Sequence, residues 1–229
     1  MTLQEFSFGF DTLLNSFSSN VSITCDEYEK SFFLTEAQEQ EVLFLYSGKV
    51  GNESFEETEE LRRYLAPIVK EASLSPIETS NGNPLGVDSN SKFFTLPEDL
   101  WFITFESVTI ADGGCSNILD VYPVRQDEYQ KLKKNPFRGA NDRRALRLDL
   151  SEGNVEIVST KDVVSYYIRY LSKLNPIVLI DFNGEVTING VSEATECELP
   201  DILHQRILER AVMLALRTKG VKIENNENR

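Results

Sequence analysis

The sequence predicts an α+β fold: a helical bundle assembled from the N- and C-terminal segments, with an antiparallel β region inserted between them. Three observations predict it. Apolar residues recur at helical spacing before residue 73 and again after residue 199. The period falls towards two from Phe93 to Cys197. Between these regimes, residues 74–92 are crowded with Ser, Asn, Gly, Pro and Asp. At 229 residues, 41% of them hydrophobic, the chain can build one large domain or two small ones. The expected parts are a helical part at 1–73, a loop at 74–92 and a β region at 93–198. A C-terminal helix at 199–220 then completes the bundle, and 221–229 form a polar tail that frays or orders on a partner.

Residues 4–17 place Phe6, Phe10, Leu13, Leu14 and Phe17 on one helical face, and the segment from Asn20 to Cys25 ends it. Thr35 with Gln38 fits a capping box, which starts a second helix at Thr35. Val42, Leu45 and Tyr46 share its face and Gly48 is its expected stop. Ser54 with Glu57 repeats the capping signal before a third helix carrying Leu61, Tyr64, Leu65, Ile68 and Val69. Pro67 removes a donor and clashes with the preceding turn, so this helix ends or kinks near Leu65.

In the β region Trp101, Ile103 and Phe105 alternate with Phe102, Thr104 and Glu106. Val108 and Ile110 shift phase, which predicts a bulge near Ser107. The run from Ala111 to Gly114 has turn chemistry, and Leu119 and Val121 continue the sheet. Leu146, Leu148 and Leu150, then Ser-Glu-Gly-Asn, then Val155 and Ile157 read as a hairpin. Val163–Leu171 reads as a strand, Ile177–Ile180 as a short buried one, and Asn183-Gly184 as a turn. Five to seven short strands of this kind suggest an antiparallel sheet or a small sandwich. The last helix opens at Pro200 and Asp201 and closes with Arg217, Lys219 and Gly220. Its stripe of Leu203, Ile207, Ala211 and Leu214 is expected to pack on the helices of residues 4–73.

The net charge of −14 and a pI near 4.6 argue against a surface that wraps DNA. One stretch runs the other way. From Arg125 to Arg147 there are eight basic residues against three acids, whereas residues 1–60 hold thirteen acids and two lysines. Copies of the chain could set one basic segment against a neighbour's acidic one, which favours register over raw affinity. The same run is also compatible with a plain solvated loop, because exposed charge pairs contribute little. A nucleic-acid-associated or regulatory protein using the 125–147 patch is the alternative reading.

Chemistry-bearing patterns are sparse. Cys25, Cys115 and Cys197 are odd in number, far apart and without a CxxC, which points to reduced thiols in a cytosolic setting. His204 lies beside the apolar stripe of the last helix and reads as a satisfied core or interface histidine. Gly113-Gly114 before Cys115 reads as a turn, not a nucleophile loop, since no linked base supports it. Glu56/Glu57 and Glu59/Glu60 sit at a helix start, where acids are expected. Tyr166, Tyr167 and Tyr170 read as sheet packing. No catalytic, metal-binding or cofactor-binding residue is assigned, and no cofactor. No apolar run reaches the roughly 18 residues a membrane span needs, and no basic n-region suggests secretion.

Four segments carry a resemblance: KKNPFRGANDRR within the basic stretch, CELPDILHQRILERAVMLA, DEYEKSFFLTEAQEQEVLFLYSG and LPEDLWFITFESV. They resemble the head-to-tail connector (ring or adaptor) proteins of crAss-like tailed phages, over about Glu5 to Thr218. The resemblance implies a structural virion protein of the phage neck or tail, made in the host cytoplasm and without enzymatic activity. It implies a ring below the portal, of twelve copies in related adaptors, through which DNA passes without specific binding. The implied partners are sibling copies, the portal protein and further tail or ring proteins, with no membrane. Lys133, Lys134, Phe137, Arg138, Arg143 and Arg144 stand in the shared motif and are the expected interface residues. Phe137 is the expected apolar anchor, with Arg138, Arg143 and Arg144 as carboxylate partners.

Overall fold

The computed structural model describes residues 1–17, 24–47, 58–77, 91–112, 115–151, 153–184 and 186–220. Helices α1 (Leu3–Phe17), α2 (Glu27–Tyr46) and α3 (Glu59–Leu65) come first, and α3 runs into a 3₁₀ turn at Ala66–Ile68. Strands β1 (Val69–Leu74), β2 (Ser91–Thr95), β3 (Leu100–Asp112) and β4 (Cys115–Pro123) follow. After them come α4 (Gln126–Lys133), β5 (Arg144–Asp149), β6 (Asn154–Val158), β7 (Val163–Ser172) and α5 (Asp201–Thr218). The chain is therefore α+β. It divides into two units, Met1–Ile68 with Leu174–Arg229, and Val69–Lys173.

In the helical unit α5 packs on α1 and α2. Its buried face is Leu203, Ile207, Leu208, Ala211, Val212, Ala215 and Leu216, so the stripe is wider than the spacing suggested, and Leu214 lies only half inside it. Phe6, Phe10 and Leu14 of α1 are buried, but Phe17 is exposed. Gly9 marks the close approach of α1 to α5: a methyl there would sit 2.7 Å from Leu208 Cδ2.

Helix α2 begins eight residues before the expected Thr35. Its capping box is Asp26 with Glu29, where the Asp26 carboxylate accepts the Glu29 N–H at 2.7 Å. Thr35 instead lies buried in mid-helix, where its hydroxyl accepts from the Ile177 N–H at 3.0 Å and donates to the Ile177 carbonyl at 3.3 Å. Ser31 Oγ accepts the Leu179 N–H and Gln38 donates to the Asn175 carbonyl. These side chains do for residues 175–179 what a neighbouring strand would do. Hence Ile177–Ile180 is not a strand of the sheet. It carries one isolated bridge, Val178 to Thr195, and stays with the helical unit. Asn183-Gly184 turns as expected, with φ of 51° and 78°.

The expected third helix is cut short. Thr58 caps it, Pro67 sits in the 3₁₀ turn, and Val69 already opens β1. The Ser54/Glu57 signal, the Gly48 stop, most of the 74–92 loop, the Gly113-Gly114 turn and the 221–229 tail lie outside the described residues.

The sheet is seven-stranded, in the order β1-β7-β3-β4-β5-β6-β2. It is half the fold, not a small insertion. Among the described residues a single bridge, from Ile77 just past β1 to Phe93 of β2, links its two edge strands. The apolar core includes Phe94, Val108, Ile110, Val121, Ile157, Tyr166 and Ile168. Two corrections apply. The pairing is not wholly antiparallel, because β4 and β5 run parallel. The register shifts of β3 against β7 fall at Leu100/Phe102, Ile103/Phe105 and Thr109/Ile110, not at Ser107. Strand β3 is long and strongly paired on both sides near Ser107, so the irregularities go to where only β7 flanks it or pairing ends.

Thr35→Val should leave the Ile177 N–H buried without an acceptor and lower stability by about 1–3 kcal/mol. Thr35→Ser should keep most of it. Urea denaturation of both variants against the parent measures this.

Candidate interface

The basic stretch is not a loop throughout. Between the parallel strands β4 and β5 the chain forms α4, with Asp127 and Glu128 in its first turn and Lys131 and Lys133 in its last. Tyr129 buries its ring from α4 in a small cluster with Leu146, Leu148 and Val158, flanked by Val124 and Ala140. A cavity of about 150 Å³ lined in part by Tyr129, Lys133, Ala140 and Leu146 lies beside it.

Beyond α4 the chain makes a tight knuckle. Asn135 Oδ1 accepts the Phe137 N–H at 2.9 Å, and the Asn135 carbonyl accepts the Gly139 N–H at 2.8 Å. Asn141 Oδ1 accepts the Arg143 N–H at 2.9 Å, and Asn141 and Arg144 exchange backbone bonds. A Cβ at the buried Gly139 would stand 3.0 Å from the Asn135 carbonyl and 3.1 Å from that of Leu132, both fixed backbone. Phe137 is held at the apex with 85% of its surface exposed.

The structure sorts the eight basic residues. Lys131, Lys133, Lys134, Arg138 and Arg143 are exposed, the last four flanking Phe137 in sequence. Within the chain the Arg144 guanidinium lies 4.1 Å over the Tyr122 ring and reaches the Phe137 carbonyl at 3.5 Å. Arg125 pairs with Asp127 at 2.9 Å. Arg147 is largely enclosed, hydrogen-bonded to Glu106 at 2.8 Å and ion-paired with Asp149 at 3.0 Å. Tyr166 donates to the same Glu106 oxygen at 2.6 Å. Burial pushes the Glu106 carboxyl above its usual range, although Arg147 and the Tyr166 hydroxyl pull it down.

Charge is divided unevenly between the units. Residues 69–173 hold 13 basic and 15 acidic residues, a net −2. The remaining 10 basic and 22 acidic residues give the helical unit −12. Within that unit the buried Glu41 meets Arg206 at 2.7 Å and Arg210 at 2.9 Å, and Lys30 is enclosed by Asp11 and Glu27. His204 is buried, with Nε2 2.8 Å from the Leu199 carbonyl and its ring 5.2 Å from that of Phe6. Burial pushes the Cys197 thiol up to about 11. Among the described residues no three His, Cys, Asp or Glu side chains gather as metal ligands, and no helix is long and apolar enough to cross a membrane.

A family model described as phage tail ring protein 3/4 matches residues 1–227. The chain is 46% identical, over 233 aligned residues, to ring protein 3 of Bacteroides phage crAss001, covering 99% of this chain and 100% of that one. It is 31% identical over 226 residues to ring protein 4/5 of the same phage, covering 94% and 92%.

Two outcomes follow from the geometry. Gly139→Ala should push the Leu132 and Asn135 carbonyls apart and loosen the knuckle, seen as faster amide exchange at residues 137–141 with the rest of the sheet unchanged. The raised Glu106 carboxyl means the folded state holds a proton more tightly than the unfolded one. Its contribution is therefore full below the ordinary glutamate range and falls as pH rises through the raised value. The stability of the parent relative to Glu106→Gln should decrease from pH 4 to pH 7, as measured by paired denaturation curves.

Proposed function

The chain belongs to the phage tail ring protein 3/4 family of crAss-like phages, and from that premise we propose that it forms a closed head-to-tail connector ring below the portal. It is a bacteriophage ring protein and a structural component of the virion. In the proposed role it binds sibling copies on either side, with the portal and further tail or ring proteins above and below. DNA passes through the ring without specific binding. We assign it no enzymatic activity.

The observation that carries this reading is the uneven charge, −12 on the helical unit against −2 on a sheet unit that bears a basic-rimmed, exposed Phe137. A cyclic ring needs two unlike surfaces on each subunit, since head-to-tail contacts close only when each patch fits the other. An apolar anchor with a cationic rim supplies one such surface, and an acidic unit supplies a field that attracts it. The same acidic unit supports DNA transit, because like charge keeps the duplex from sticking. The copy number implied by the resemblance is twelve.

Arg138→Glu with Arg143→Glu should weaken ring assembly at least tenfold while leaving the melting temperature within a degree or two. Both side chains are exposed and neither is part of a buried network. Native mass spectrometry and negative-stain imaging measure assembly, with twelve times the 26.0 kDa chain as the expected mass. A parent chain that stays monomeric beside its tail neighbours, or that is retained on DNA through the knuckle at moderate salt, would reject the reading.

A further inference from the structure

The outward ridge of α2 is apolar where a solvated helix would be polar. Tyr28, Phe32 and Leu43 are exposed along it, with Glu36 between them. The Tyr28 ring meets Phe182 edge-on at 5.6 Å, and Glu39 accepts from Asn189, so residues 180–184 and 186–189 continue the same surface. They add exposed Ile180 and Val186 and the carboxylate of Asp181. The cations nearby are taken up. Residues 174–200 contain no lysine or arginine, Lys30 is buried against Asp11 and Glu27, and Lys219 pairs with Glu29 at 2.6 Å. The result is a patch of exposed rings among carboxylates.

We propose that this patch is the seat for the Phe137 knuckle of a neighbouring copy. Phe137 enters against Tyr28, Phe32 and Phe182, with Arg138 and Arg143 facing Glu36 and Asp181. This rests on the ring reading and names the contact within it. The choice of a second copy follows from charge and shape. A knuckle set on a knuckle brings cations together, and a patch set on a patch brings carboxylates together, so neither pairs with itself. Each fits the other, and two unlike, mutually fitting patches on one chain are what a head-to-tail ring requires. Each also carries an aromatic centre with a charged rim, the arrangement in which a few central side chains dominate binding.

The test places the photoreactive p-benzoylphenylalanine at position 137 in assembled rings made from mixed light and heavy isotope-labelled chains. Irradiation should link residue 137 of one copy to residues 26–43 or 180–189 of another. Links to any other surface, or only to a different tail protein, overturn the assignment while leaving the ring reading intact. In parallel, Phe32→Ala should raise the concentration needed for assembly about tenfold, whereas Phe8→Ala, on α1 and more exposed than Phe32, should not. A Phe32→Ala chain that assembles like the parent overturns it. If the parent forms no rings with its tail neighbours, the ring reading fails first and this contact with it.

Discussion

Two neighbouring strands that run the same way cannot be joined by a tight turn. That constraint governs the part of this protein proposed as an interface. Strands β4 and β5 are parallel, so the chain between Pro123 and Arg144 must leave the sheet, travel back and re-enter. The return leg is α4, pinned by Tyr129 over Leu146, Leu148 and Val158. The remaining residues have to turn sharply to line up Arg144 beside Asp120, and Asn135, Gly139 and Asn141 make that turn with side-chain-to-backbone bonds. The exposed ring of Phe137 is therefore mounted on a braced crossover, which lowers the entropy lost when it is buried by another surface.

Much of the helical unit was legible because its signals are strictly local. Phe6, Phe10 and Leu14 repeat at helical spacing, Pro67 breaks the third helix where a proline must, and Pro200 with Asp201 opens α5. The main error there has one cause: a side chain that reads as a local signal was committed to a distant backbone. Thr35 with Gln38 has the spacing of a cap, yet both side chains serve residues 175–177. The true cap, Asp26 with Glu29, carries the same signal nine residues earlier. Strand direction was not legible either, because β4 and β5 show the same alternation whether they run parallel or antiparallel. The acids and lysines at opposite ends of Gln126–Lys133 did carry a helix signal, but only Tyr129 and Leu132 mark its apolar side.

The basic residues of the candidate interface were legible as a cluster and not as individuals. Composition gives the sign of a stretch, while the fold decides which charges reach water. Arg147 is drawn inside by Glu106 and Tyr166, Arg125 is matched by Asp127, and Arg144 is laid over Tyr122. What is left is a smaller cationic set around one apolar ring. The helical unit shows the converse. Its few cations are largely directed to specific carboxylates, Lys30 to Asp11 and Glu27, Arg206 and Arg210 to Glu41. Removing Asp11 and Glu27, or Arg206 and Arg210, would leave the buried Lys30 or the buried Glu41 uncompensated, so these pairs hold helices in register and at the same time occupy much of the unit's positive charge.

For the proposed ring, that division suits many modest contacts better than a single strong one. Exposed charge pairs each contribute about 0–1 kcal/mol and are screened by salt, so the cationic rim cannot by itself hold two copies together. What it does well is reject the wrong orientation, since any arrangement that opposes like charges is unfavourable. The central ring then has to supply affinity, and one phenylalanine buried in an apolar seat is worth about 1.5–3 kcal/mol. A pairwise contact of that size is weak in isolation. In a closed ring every subunit is held on both sides, and losing one requires breaking two contacts, the second of which is held at high effective concentration by the rest of the circle. Modest, well-oriented contacts thus become a stable assembly only when the circle closes, and copies that meet in the wrong register separate before it does.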